Sequence, residues 1–221
     1  MPKSSIPFPG TLIGQTMGGP TIKARPAGVV DGLADGSWTN TFLFPVTCVV
    51  LGWGAGGANA NGSNQGAGGG GCGYKLIKVM PGQTISWTIG LGSAVAATNG
   101  GDTIVTLPRG AQCLAGGGLA NGTGGVCSGS WDTWRPGGRG GLFNTTRGES
   151  PVGGGLDGGN NGSGGGAAGF SDLMAGTQGG NGGSYNSGSP ATTVPGGALG
   201  GSSGFFGSSK AGAVKLLLVR E

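Results

Sequence analysis

The sequence predicts a mainly β protein with almost no α-helix, in which a core of strands carries a long glycine-rich region folded as polyglycine II. Three observations predict this. Glycine supplies 59 of the 221 residues, against roughly 7% in an ordinary protein. A glycine inside a helix costs about 1 kcal/mol relative to alanine, so a helical bundle is excluded. Short apolar, β-branched runs recur between residues 37 and 114 and again near residue 215, in the manner of strands. Glycines also fall locally at every third position, at Gly159, Gly162 and Gly165 and then at Gly176, Gly179 and Gly182. That is the repeat of a threefold extended helix. The repeat is not strict and proline totals only 12, so collagen is excluded.

Residues 1–36 hold five prolines and two glycine clusters with no sustained period. They read as an extended arm that takes its order from a partner. Residues 37–114 read as a β-core. Its runs are Trp38–Phe44, the β-rich Val46–Trp53, Tyr74–Val79, Thr84–Ile89, Thr103–Leu107 and Gln112–Leu114. Ile85, Trp87 and Ile89 alternate with Thr84, Ser86 and Thr88, giving one apolar face. Pro81-Gly82 is a turn pair, and it is expected to close a hairpin between the strands on either side.

Residues 115–209 hold most of the glycine. Bulky inserts punctuate them: Trp131-Asp132-Thr133-Trp134, Leu142-Phe143, Phe170, Leu173-Met174, Tyr185 and Phe205-Phe206. Residues 210–221 contain a clear strand, Ala213 to Val219. An apolar strand must bury its face and pair its backbone, and Val46–Leu51 or a sheet neighbour is the expected partner. The glycine region then becomes an excursion pinned at both ends to one β-core. Ordering backbone costs about 1–2 kcal/mol per residue, most of all for glycine. Where there are no side chains to bury, only backbone groups can offset that cost. Closely packed polyglycine II helices provide such an offset, each N–H bonding a neighbour's carbonyl and Cα–H···O contacts adding a little.

Composition removes many function classes. There is no histidine, so Ser–His–Asp and Cys–His relays are excluded, and Gly200-x-Ser202-x-Gly204 has no base to serve as a nucleophile elbow. Zinc sites of the usual Cys/His kind are not expected. The twelve Lys and Arg, net charge +4, are scattered, leaving no electrostatic footprint for nucleic acid. A single Arg139-Gly140-Gly141 does not make an RNA-binding repeat. Gly52-x-Gly54-x-x-Gly57 follows a strand, but the dinucleotide fingerprint also needs a helix and an acidic residue about 20 positions on; residues 58–73 have no helical period, and no Asp or Glu occurs between Asp35 and Asp102. Asp102, Asp132, Asp157 and Asp172 are too dispersed for a carboxylate pair or a calcium loop. No apolar run approaches 18 residues, and the first residues lack the apolar stretch of a secretory signal. Cys48, Cys72, Cys113 and Cys127 are accordingly read as free thiols of a protein made in a reducing cytosol, two disulfides being the alternative.

Recognition must then fall to the bulky inserts, because glycine runs offer no side-chain chemistry. The candidates are Trp131, Trp134, Arg135, Arg139, Phe143, Phe170 and Tyr185. Trp and Arg dominate binding hot spots, and Trp faces stack on sugars. The two tryptophans have a second reading, as plugs in the side of the glycine bundle.

Several motifs carry a family resemblance. Phe44-Pro45-Val46-Thr47-Cys48-Val49-Val50-Leu51-Gly52-Trp53-Gly54-Ala55-Gly56-Gly57, then Gly69-Gly70-Gly71-Cys72-Gly73-Tyr74 with Val79-Met80-Pro81-Gly82-Gln83-Thr84-Ile85, then Gly90-Leu91-Gly92 with Gly100-Gly101-Asp102-Thr103, and last Ala211-Gly212-Ala213-Val214 to Glu221 together resemble the glycine-rich domain of bacteriophage tail-fibre, tail-tip and receptor-binding proteins. The resemblance is collinear over residues 42–221. It implies a small antiparallel β-sandwich, closed by the C-terminal strand and continuous with a polyglycine II bundle. It further implies a non-catalytic virion protein, a receptor-binding adhesin facing an outer-membrane protein or glycan. The arm lies outside the resemblance, and its lack of period makes other virion proteins its expected partners. A purely structural virion component is the alternative, and an extracellular glycine-rich matrix protein the third reading. No cofactor, metal, nucleic acid or membrane insertion is expected, and a homo-oligomer is compatible with all three.

Overall fold

The computed structural model describes residues 26–58, 66–92, 95, 97–141 and 209–219. Ten strands run through these residues. They are β1 (Pro26–Gly32), β2 (Gly36–Thr39), β3 (Val46–Trp53), β4 (Cys72–Val79), β5 (Thr84–Thr88), β6 (Thr103–Thr106), β7 (Gln112–Ala115), β8 (Ser128–Gly129), β9 (Thr133–Arg135) and β10 (Ala213–Val219). No α-helix occurs among the described residues. One sheet has the order β1-β10-β3-β4-β9 and the other β2-β5-β6-β7-β8, with every pairing antiparallel. Val46, Cys48, Val50, Val214, Leu216 and Leu218 of the first sheet pack with Ile85, Trp87, Val105 and Cys113 of the second. The protein is a mainly β, sandwich-like fold.

β10 lies between β1 and β3, with Leu216 opposite both Val30 and Val50. The expected partner of the closing strand is therefore the observed one. The residues of β3 that alternate with the sandwich-facing set, Val49, Leu51 and Trp53, form a second buried cluster with Cys72 and Ala213. A strand buried on both faces reads as a continuous apolar run instead of an alternating one. This accounts for Val-Thr-Cys-Val-Val-Leu in β3, while in β10 Leu216 and Leu218 are buried and Leu217 packs half-buried against the second cluster.

The structure corrects three boundaries. The arm does not extend to residue 36, because Pro26–Gly32 is an edge strand of the first sheet, its Asp31 paired with Lys215 at 3.2 Å. Only Val29 and Val30 gave it an apolar signal, and its proline occupies the first position of an edge strand, where proline is tolerated. Trp38–Phe44 is a strand only as far as Thr39. The Pro81-Gly82 turn joins strands of different sheets and closes no hairpin. Gly82 has φ +76 and Gln83 N–H bonds Met80 C=O at 3.0 Å, which is type II geometry, and that type splays its flanking strands. The hairpin lies instead at Pro108–Gly110, between β6 and β7.

Beyond one end of the sandwich the strands continue as glycine-rich runs with a different hydrogen-bond rhythm. After β3, the amides of Gly54 and Gly57 donate to Gly71 and Gly68. Those of Ala55 and Ala58 donate to Gly101 and Thr98, and that of Gly56 to Lys210. Successive amides thus point at three different neighbours, and every third returns to the same one. Gly66 and Gly69 likewise reach Gly141 and Gly138, while Gly68 and Gly71 reach Leu119 and Gly116. A β-ladder would alternate with period two, whereas period three is the bonding of packed polyglycine II helices. The bundle is built from stretches on both sides of residue 115, so that position separates no domains. The glycines at 159–182 that first suggested the repeat lie outside the described residues.

Candidate functional site

The molecule has two dissimilar ends. Pro26, Val219, Thr47 and Lys78 stand in register at one end of the first sheet. Trp53, Cys72 and Arg135 stand at the other, where the glycine bundle begins.

The Trp131–Arg139 segment lies at the junction of sandwich and bundle. Trp131 is buried, and its Nε1 donates to Leu114 C=O at 2.9 Å. Its ring occupies the space that a Cβ at Gly52 or Gly73 would need. Trp131 is thus a plug, but of the sandwich core and not of the side of the glycine bundle. Asp132 closes the end of β9. Its amide donates to Tyr74 C=O at 3.0 Å, and its Oδ2 accepts the Leu76 amide at 2.8 Å. Lys75 Nζ donates to the other carboxylate oxygen. Partial burial works against ionisation of Asp132, but the Lys75 bond, the Leu76 amide and the lysine charge outweigh it and hold the carboxyl below its usual range. The stability this adds is present above the ordinary carboxyl pKa and is lost as pH falls through the lowered one.

Trp134 stands opposite Gly73 on β9 and remains 43% exposed. Arg135 is half-buried, while Arg139 projects to solvent from a run in which Gly138 and Gly140 are buried. Trp134 and Arg139 are thus exposed members of the predicted set. Phe143, Phe170 and Tyr185 lie outside the described residues.

The amides of Gly54 and Gly57 are spent on other runs and start no helix. The sequence reading against a phosphate cradle at Gly52-x-Gly54-x-x-Gly57 thereby acquires a structural reason.

The far end was not anticipated from sequence. Fully buried Asn40 holds it together. Its Nδ2 donates to Phe44 C=O at 3.0 Å and Val79 C=O at 2.9 Å, and its Oδ1 accepts the Phe42 amide at 3.0 Å. Its backbone bonds Gly82 and Gln83. The loop so fixed carries Phe42 stacked on Phe44, ring centroids 5.2 Å apart, with Leu43 between them 97% exposed. Nearby Met80 is also exposed. The run Trp38–Phe44, ending in Phe42-Leu43-Phe44, suggested a strand, and only the clamp shows that these rings are presented at a loop.

All four cysteines are free and buried. Desolvation raises Cys48 and Cys127 from 9.0 to about 12 and Cys113 to about 11, and pushes Cys72 up as well. Their folded pKa values exceed the unfolded ones. This contribution to stability is therefore complete below about pH 9 and is lost as pH rises toward 11 and 12. The native protein is expected to resist iodoacetamide at pH 8 and to take up four equivalents only after denaturation. Rapid labelling of the native state would show that the thiols are accessible.

No family model matches the chain, and no curated protein is significantly similar to it.

Proposed function

We propose that the protein is a non-catalytic bacteriophage virion component, a receptor-binding adhesin of the tail or fibre. One observation carries this reading beyond the motif resemblance. The strands of the sandwich continue without a break into a polyglycine II bundle, which makes a rigid mount for short side-chain-bearing segments. Rigid mounting lowers the ordering cost of binding. In this reading the end carrying Phe42, Leu43 and Phe44, from which the chain leads back toward its arm, faces other virion proteins. The flank at the junction of sandwich and bundle, with Trp134 and Arg139, faces the bacterial surface.

The test is a double substitution, Trp134→Ala with Arg139→Ala, introduced into particles. Both residues are exposed and outside the core clusters, so the particles should still fold while adsorption to host cells falls, each lost hot spot costing roughly 2 kcal/mol or more. Normal adsorption by well-folded mutant particles would remove this flank as the contact. Failure of the particles to assemble would favour the purely structural component. Absence of the protein from purified particles by mass spectrometry would overturn the virion assignment altogether.

A further inference from the structure

The tip of the β6–β7 hairpin carries a conformation that its residue does not favour. Leu107, Pro108, Arg109 and Gly110 form a turn closed by Gly110 N–H on Leu107 C=O at 3.0 Å. Arg109 occupies the third position at φ 72, ψ 12. That position of a type II turn requires positive φ and is normally given to glycine or asparagine. A Cβ there meets the carbonyl that follows, and strain of this kind persists where the surroundings hold it, often at functional sites.

Arg109 also borders an open cleft of about 310 Å³, formed with Ile77, Lys78, Met80, Gln83 and Pro108. The cleft lies between the outer half of β4 and the hairpin tip, beside the Asn40-clamped loop. Ile77, Met80 and Pro108 make an apolar floor. Arg109 sets a cation on the rim, and none of the six lining residues is acidic. Gln83 is held in place, its Oε1 accepting the Met80 amide at 2.9 Å.

We infer that this cleft is a docking site for an extended acidic peptide segment of a partner protein, which seats one apolar side chain on the floor and sets a carboxylate against Arg109. Charge selects the occupant, since a basic or neutral segment gains nothing from the rim. The inference does not depend on the virion reading. It requires only that the chain sits on another protein by the end where Pro26 and Val219 lie. The turn between β6 and β7 fixes the backbone of Arg109, so only its side chain remains to be ordered on binding.

The full chain, labelled for amide NMR, should be titrated with an acetylated Glu-Phe-Glu-Leu-Glu peptide and with its lysine counterpart, Lys-Phe-Lys-Leu-Lys. The acidic peptide should produce saturable shifts at Ile77, Gln83, Arg109 and Gly110 by about 1 mM, diminishing with added salt, and the lysine peptide should not. Arg109→Gly and Arg109→Asn remove the charge and both suit positive φ. Each should weaken the acidic peptide about tenfold without loss of folding, and Arg109→Gly should raise the melting temperature by about 2–4 °C. Equal responses to the two peptides would overturn the proposal. So would the absence of saturable shifts for either, or undiminished binding by the two folded variants.

Discussion

Replacing Trp131 with alanine is expected to destabilise the fold by about 3–5 kcal/mol, a large part of the roughly 5–15 kcal/mol that holds a domain together. The indole lies buried between the sheets, over Gly52 of β3 and Gly73 of β4, and donates to Leu114 C=O. Neither glycine has a side chain to fill the space, so the cavity would be lined by backbone that cannot collapse into it. Trp87 has a parallel seat over Gly32 and Gly36, with its Nε1 on Ala34 C=O at 2.9 Å. Urea denaturation would measure the loss. Trp131→Phe, which keeps most of the volume and gives up the hydrogen bond, should fall between alanine and wild type. A loss under about 1 kcal/mol for alanine would mean that the ring is not a core element.

The second large effect is expected at Gly54. A Cβ added there would fall on the carbonyl of Gly116, a backbone atom of the adjoining run. Overpacking ordinarily costs about 1–3 kcal/mol because side chains move aside. Here the obstacle is another extended helix tied by its own hydrogen bonds, so Gly54→Ala should reach the top of that range, near 3 kcal/mol. Ala55, the next residue, is fully buried with its methyl accommodated, and Ala55→Gly should cost only about 1 kcal/mol. The pair is a direct test of period-three packing, since a loose glycine tract would rank the two substitutions the other way. Thermal melts of both variants against wild type would decide it.

These contrasts also show how far the sequence could be read. β3, β5 and β10 were legible because their own side chains carry the signal, and the pairing of β10 with β3 followed from the need to satisfy an apolar strand. β1 was not legible, because its partner supplies the reason for it to be a strand. The Pro81-Gly82 turn was visible, but which sheet each flanking strand would join depends on turn geometry and on the Asn40 clamp, and neither is local. Trp131 and Trp134 looked equivalent in sequence. They differ because Trp131 precedes β9 and turns into the sandwich, whereas Trp134 is paired on an edge strand. Arg109 gave no signal at all, since a backbone dihedral is not written in composition.

The position of β10 sets the order in which the protein can form. β5, β6, β7 and β8 are neighbours in both sequence and space, so all of the second sheet but β2 can assemble without waiting for a distant segment. In the first sheet, β1 and β3 do not touch each other; each is completed by β10, and Pro26 meets Val219 only there. Closing so long a loop precedes any reward from the contact and slows folding. Until the chain has been made through residue 219, β1 has no partner and β3 has one bare edge. Both are strands that could recruit another chain. The molecule should therefore fold late and slowly in its first sheet. Once β10 is inserted, the same topology works in reverse, because unfolding must withdraw a central strand bonded on both sides.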